Sequence, residues 1–219
     1  MGGRRRAPDR RPEGDWQGGP DRARGNRLRR GNSGFRPPPA WYAGVVAAVG
    51  VQRLRELALS RGNERRVRGT RAAARTYPLM VAVHAGLCTL PLVEATLRRR
   101  RPRAPALWLG VLGAATALRW WSIATLGESW NVRAVVPADL QPVSRGPYRF
   151  VRHPNYLAVA LEFAALPLAG GATWCALALS LLNALVLADR IREEDRLLEA
   201  VPGYEEAFRN RPRLIPGVF

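Results

Sequence analysis

The run Gly146-Pro147-Tyr148-Arg149-Phe150-Val151-Arg152-His153-Pro154-Asn155-Tyr156 gathers arginine, histidine and tyrosine around a proline suited to the first position of a helix. Pro154 lacks only an N–H that a first-turn residue leaves unpaired anyway, and it biases His153 toward an extended backbone. Arg152 and His153 therefore stand together at a helix mouth, where free amides and the helix dipole favour an anion such as a carboxylate. Arg152 can hold that anion through two parallel hydrogen bonds. Further along, Arg190-Ile191-Arg192-Glu193-Glu194 supplies carboxylates able to accept from sugar hydroxyls, and Tyr148 or Tyr156 supplies a face for a flat base. A competing reading makes Arg152 and His153 residues that face lipid headgroups, with Glu193 and Glu194 on a solvated helix face.

These residues are positioned by apolar blocks at 39–51, 77–97, 104–126, 156–169 and 172–188, most of them near the ~20 residues that a spanning helix needs. The expected fold is all-α: an integral membrane bundle of about five transmembrane helices, with a cytosol-facing cofactor site and a carboxyl-terminal amphipathic helix. The first span continues through 52–59, whose charged groups are expected at the interface with their stems along lipid. Irregular, charged backbone at membrane depth is tolerated only at the surface or around a protein-lined cavity, so the Arg-His-Pro turn reads as a site.

The chain has 219 residues, 47% of them hydrophobic, and a formal charge of +18 carried by arginines alone. Such charge suggests nucleic acid, since each cation that neutralises a phosphate releases a counterion. Outside the amino-terminal tail, however, the arginines flank apolar helices, where anionic lipid headgroups sit, and no nucleic-acid partner is expected. Residues 1–38 are rich in Arg, Gly and Pro and poor in apolar side chains, which predicts a disordered tail ahead of a membrane domain at 39–219. Cys88 and Cys175 fall within apolar blocks without metal-ligand spacing and read as small hydrophobes; no metal site is expected. Dinucleotide, Walker, zincin and nucleophile-elbow fingerprints are absent.

The motif resembles the hallmark of the isoprenylcysteine carboxyl methyltransferase family, Gly-x-Tyr-x-x-x-Arg-His-Pro-x-Tyr followed by an Arg and paired Glu. The matching positions are Gly146, Tyr148, Arg152, His153, Pro154 and Tyr156, then Arg190, Glu193 and Glu194, then Tyr204 and Pro216. The resemblance implies methyl transfer from S-adenosylmethionine, by direct displacement, to a lipophilic acceptor that enters from the bilayer. The donor carries a carboxylate, ribose hydroxyls and an adenine, the three groups for which the motif residues suit. Gly146, Tyr148, Arg152, His153, Pro154, Tyr156 and Glu194 are then expected to bind it, and Arg190, Glu193 and Glu162 to serve the chemistry. From about residue 52 to 199 the chain is similar to a bacterial branch associated with type III polyketide synthases, which O-methylates long-chain alkylpyrones or alkylresorcinols. Blocks such as Ser60-Arg61-Gly62-Asn63-Glu64 and Leu126-Gly127-Glu128-Ser129-Trp130-Asn131 carry that likeness. A bacterial inner membrane with the site facing the cytoplasm follows as an expectation.

His84, Glu94, Arg119, Glu162 and Asn183 lie in or near the apolar blocks, where an ionisable group is costly unless paired or facing water. Glu94 reads as a helix-end residue, and Trp120-Trp121 as an interfacial belt. Glu162 follows Asn155 by seven residues, close to two turns, and so shares its face. That makes Glu162 a candidate base for the acceptor, with Glu193 as the substitute. Two other classes compete. One is an NADPH-dependent membrane reductase of the sterol and steroid type, whose end also gathers an Arg-x-Pro-Asn-Tyr turn and a Tyr followed by Ile-Pro. The other is a non-enzymatic, arginine-rich membrane protein.

Overall fold

A computed structural model describes Gly2 and residues 38–66, 69–72, 75–98, 101–137 and 140–215. The expected disorder of residues 1–38 and the match at Pro216 fall almost wholly outside them. The described residues from 38 to 215 belong to one compact unit.

Five long helices stand where the apolar blocks place them: α1 (Ala40–Arg66), α2 (Tyr77–Arg98), α3 (Pro105–Leu126), α4 (Pro154–Ala169) and α5 (Thr173–Glu199). A short α6 (Tyr204–Phe208) follows. The carboxyl-terminal amphipathic helix expected from the sequence is mainly the distal part of α5, which continues without a break past the apolar segment. Among the described residues three helices, α2, α3 and α5, are long and apolar enough to cross a membrane. Their outward faces carry exposed Leu90, Val93, Leu107, Leu177, Leu181 and Leu185, a surface suited to lipid. At 16 residues α4 is shorter, roughly 24 Å against a hydrocarbon core of about 30 Å. It packs between α3 and α5 and contributes the fully buried Phe163 and Leu166 to the core.

Helix α1 departs from expectation. Its buried residues Tyr42, Val46, Val49, Glu56, Ser60 and Asn63 recur at three and four, with Arg53 completing the series, so one continuous stripe faces the bundle. The stripe changes from apolar to polar midway, and Glu56 points inward rather than to the headgroups. Asn63 donates from Nδ2 to the Trp130 carbonyl at 2.6 Å, and Ser60 Oγ accepts from the Val132 amide at 2.9 Å, docking the end of α1 on the loop after α3. The same loop pairs with the segment after α1 in a small antiparallel ladder of β1 (Gly69–Arg71) and β2 (Val135–Pro137), in which Thr70 opposes Val136. The α1–α2 and α3–α4 connections therefore share one face of the bundle.

At the opposite face Glu94 of α2 reaches the start of α5. Its carboxylate accepts from the Trp174 amide at 3.1 Å and the Cys175 amide at 2.7 Å, at a helix start with no side-chain cap of its own. Glu94→Ala removes that cap from a neighbouring helix. It is expected to destabilise the protein by about 1 to 2 kcal/mol, read as a lower thermal midpoint in detergent with donor binding unchanged.

Candidate active site

The α3–α4 connection enters the site through a 3-10 turn, Gly146–Arg149. Gly146 has φ +58, and a Cβ there would meet Thr125 Oγ1 at 2.5 Å and Trp121 Nε1 at 3.2 Å, so both the backbone angle and the close approach to α3 require glycine. Past this crossing Tyr148 is buried. Its phenol is raised well above its ordinary value by burial and by the neighbouring Glu194 and Tyr156, so it stays protonated. Trp120 and Trp121 are exposed and do not line the cavity described below, as suits an interfacial belt.

Pro154 opens α4 as expected, but the helix mouth is already clasped by protein. The amides of Arg152 and His153 donate to the carbonyls of Pro212 and Arg213 at 2.9 Å each, and Arg152 Nε donates to the Arg211 carbonyl at 2.9 Å. His153, 4% exposed, meets Asp195 Oδ1 through Nε2 at 2.7 Å, and Arg213 Nε donates to the other carboxylate oxygen at 2.6 Å. Arg152 and His153 both line the cavity, yet these contacts fasten the carboxyl-terminal segment onto the turn and α5. The amides of Arg152 and His153, just ahead of the helix, and the Nε of Arg152 are thus taken by backbone carbonyls.

Helix α5 supplies the opposite wall. Leu187, Arg190, Glu194 and Leu198 recur at three, four and four and line the cavity together. Glu194 accepts a hydrogen bond from the Tyr156 hydroxyl. Arg190, 2% exposed, donates from Nη2 to the Val132 carbonyl at 2.7 Å, while its Nε and Nη1 are buried with no partner. Glu193 lies off this face. Its side chain is 42% exposed and accepts from Arg196 at 2.6 Å.

Toward α1 and α2 the cavity meets a second charged cluster. Arg119 donates from Nε and Nη2 to the two oxygens of Glu56 at 2.6 Å each, and Arg53 Nη1 reaches the same carboxylate at 2.7 Å. Arg53 also pairs with Glu162. Glu162 is 1% exposed and does not line the cavity, although Asn155 does. Seven residues return a side chain to the same face but carry it roughly 10 Å along the axis, which here places Glu162 beyond the cavity as a counter-ion. The structure sets Glu162 beside Arg53 rather than at the cavity wall.

The cavity enclosed by these walls measures about 360 Å³, within the range of small-molecule sites. Its lining residues carry nearly all the buried side-chain polar atoms left without partners among the described residues: Arg53 Nε, Arg119 Nη1, Trp130 Nε1, Asn155 Oδ1, and Arg190 Nε and Nη1. Buried polar groups are normally satisfied, so such a concentration marks a place for a polar ligand. Donors outnumber acceptors, which favours a ligand rich in oxygen or carrying an anion. Asp195, Arg213, Arg53 and Glu56 are not picked out as site residues from the sequence, and Arg119 is singled out there only as a costly polar residue in an apolar block. Their available signals were the α5 spacing around Glu194 and the stripe along α1.

The isoprenylcysteine carboxyl methyltransferase family profile matches residues 108–200. That span contains every motif position from Gly146 to Glu194, whereas Arg53, Glu56 and His84 precede it. The chain is also similar to the Bacillus subtilis (strain 168) protein YpbQ, described as uncharacterized, at 32% identity over 161 residues, covering 71% of this chain and 95% of the relative. Helices able to cross a membrane and a donor-rich cavity beside the Arg-His-Pro turn accord with both comparisons: the chain belongs to the isoprenylcysteine carboxyl methyltransferase family, and is a membrane methyltransferase of the kind that uses S-adenosylmethionine.

Proposed function

We propose that the protein O-methylates a long-chain phenol or enolic pyrone that reaches the site from the bilayer, with the donor entering from the cytoplasm at an inner membrane. The donor supplies an electrophilic methyl group on a sulfonium. The observation that carries the donor assignment is the buried Arg190 with two unpartnered nitrogens, one turn from Glu194. Arg190 suits the donor's carboxylate, and Glu194 suits its ribose hydroxyls or the positive sulfonium. Tyr148 and Tyr204, both buried and lining the cavity, offer aromatic surface for the adenine. His153, Asp195 and Arg213 hold these walls together rather than reach the ligand. Family membership favours this reading over the nicotinamide-dependent reductase.

The acceptor class rests on the likeness of residues 52–199 to the polyketide-associated branch. It is supported by an apolar flank where Leu54 and Val81 both line the cavity and remain exposed, an opening suited to an alkyl chain. In detergent, calorimetric titration is expected to show binding of S-adenosylmethionine and none of NADPH. Labelled methyl transfer to an alkylresorcinol or alkylpyrone should then exceed transfer to a farnesylcysteine analogue. Efficient transfer to the farnesylcysteine analogue alone would sink the acceptor assignment, and absence of donor binding would sink the whole reading.

A further inference from the structure

An acceptor hydroxyl must lose its proton either to a protein base or before it binds. The groups at the cavity are engaged. Glu56 accepts from Gln52, Arg53 and Arg119 together, Glu194 accepts from the Tyr156 hydroxyl, and His153 is tied to Asp195. Glu162 pairs with Arg53 outside the cavity, and Glu193 is turned to solvent. His84 lines the cavity from α2, but a proton added to its ring would bring further positive charge beside Arg53 and Arg119. No described residue of the lining is thus placed as a base.

The same cations favour an anion that arrives ready-made. Arg53, Arg119, Arg152 and Arg190 line the cavity against only Glu56 and Glu194, so its walls carry a positive excess even with Glu162 behind Arg53. Buried Arg53 Nε and Arg119 Nη1 have no protein partner. Leu54, next to Arg53 on α1, opens the apolar flank with Val81, so a chain lying there brings its head to these two arginines. Tyr156 joins this end to the donor end, being bonded to Glu194 and within electrostatic reach of Arg119.

We infer that Arg53 and Arg119 receive the acceptor's reacting oxygen already ionised, and that the protein supplies no base. The inference rests on the methyltransferase reading above and narrows its acceptor to the enolic pyrone. Such an enol is a vinylogous acid and ionises much as carboxylic acids do, whereas a phenol with a pKa of about 10 is almost wholly neutral near pH 7. The anionic oxygen forms the new C–O bond, the electron pair of the breaking C–S bond stays on the donor's sulfur, and no proton passes to the protein. Glu56 and Glu162 already share these guanidiniums, so the anion is steered without being fully neutralised and keeps its nucleophilicity. The product is an uncharged ether that no longer matches the arginines, which favours its return to the bilayer.

Single-turnover methylation in detergent, followed from about pH 6.5 to 8.5, tests the absence of a base. The rate with an alkylpyrone bearing a free enol is expected to vary by less than about threefold; that with an alkylresorcinol should start at least about a hundredfold lower and climb about tenfold per pH unit. A resorcinol rate that is flat with pH, or equal to the pyrone's near pH 7, would reveal a base in the protein and overturn the inference. Calorimetry on the donor-free protein then compares the pyrone with its own methyl ether, which wild type should bind at least about thirtyfold more weakly. Arg53→Gln should abolish most of that preference by weakening the pyrone alone, with ether and donor affinities kept within about twofold, and Arg53→Lys should retain part of it. Equal affinity of wild type for pyrone and ether, a preference that survives Arg53→Gln, or equal losses for both ligands would overturn the assignment. Failure of the wild-type protein to bind the donor would overturn the methyltransferase reading instead.

Discussion

Arg190→Gln is expected to weaken S-adenosylmethionine binding by at least about a hundredfold while leaving the thermal midpoint of the ligand-free protein nearly unchanged. A hydrogen bond to a charged group contributes about 1.5 to 3 kcal/mol, and two of them, from Nε and Nη1 to a carboxylate, correspond to roughly a hundredfold or more in affinity. Stability behaves differently because the ligand-free protein already buries this guanidinium with only Nη2 satisfied, on Val132. Removing a charge whose desolvation is poorly offset costs the fold little. Opposite responses of binding and stability are the signature of a residue kept for its ligand. A variant that binds the donor normally, or one that unfolds more readily and recovers affinity once cooled, would assign Arg190 to the scaffold.

Much of this architecture is legible in the residues. Pro105 and Pro154 open α3 and α4 at first-turn positions, and every apolar block becomes a helix. The places where sequence reading went astray share a cause, the sense of a helical face. Glu193 and Glu194 are neighbours in sequence but about 100° apart on α5, and only the recurrence of Leu187, Arg190, Glu194 and Leu198 says which one turns inward. Asp195 escaped notice because its meaning depends on His153 and Arg213, residues distant in the chain. Along α1 the charges of 52–59 looked interfacial when weighed by hydropathy, though their spacing continues the buried stripe of Tyr42, Val46 and Val49. The three-residue strands β1 and β2 are too short for an alternation signal, and their pairing across more than sixty residues has no local cause.

The Glu56–Arg119 pair separates stability from function most clearly. Glu56→Ala leaves Arg119 buried beside no bidentate partner, and breaking a buried ion pair from one side costs about 3 to 5 kcal/mol, on the order of 10 °C in thermal midpoint for a chain of this size. Replacing both partners with apolar residues of similar volume, Glu56→Leu with Arg119→Met, removes the orphaned charge as well as the attraction and is expected to restore most of the lost stability. Arg53 keeps Glu162 as its counter-ion in that double variant. Turnover is not expected to return, because the cavity has lost the guanidinium of Arg119 and Arg53 has lost the carboxylate that orients it. Donor affinity, set mainly at the α5 wall, should stay near that of the wild type. A double variant that is stable and fully active would show the pair to be packing alone; one that is stable, binds donor and fails to turn over places the acceptor's oxygen at α1 and α3.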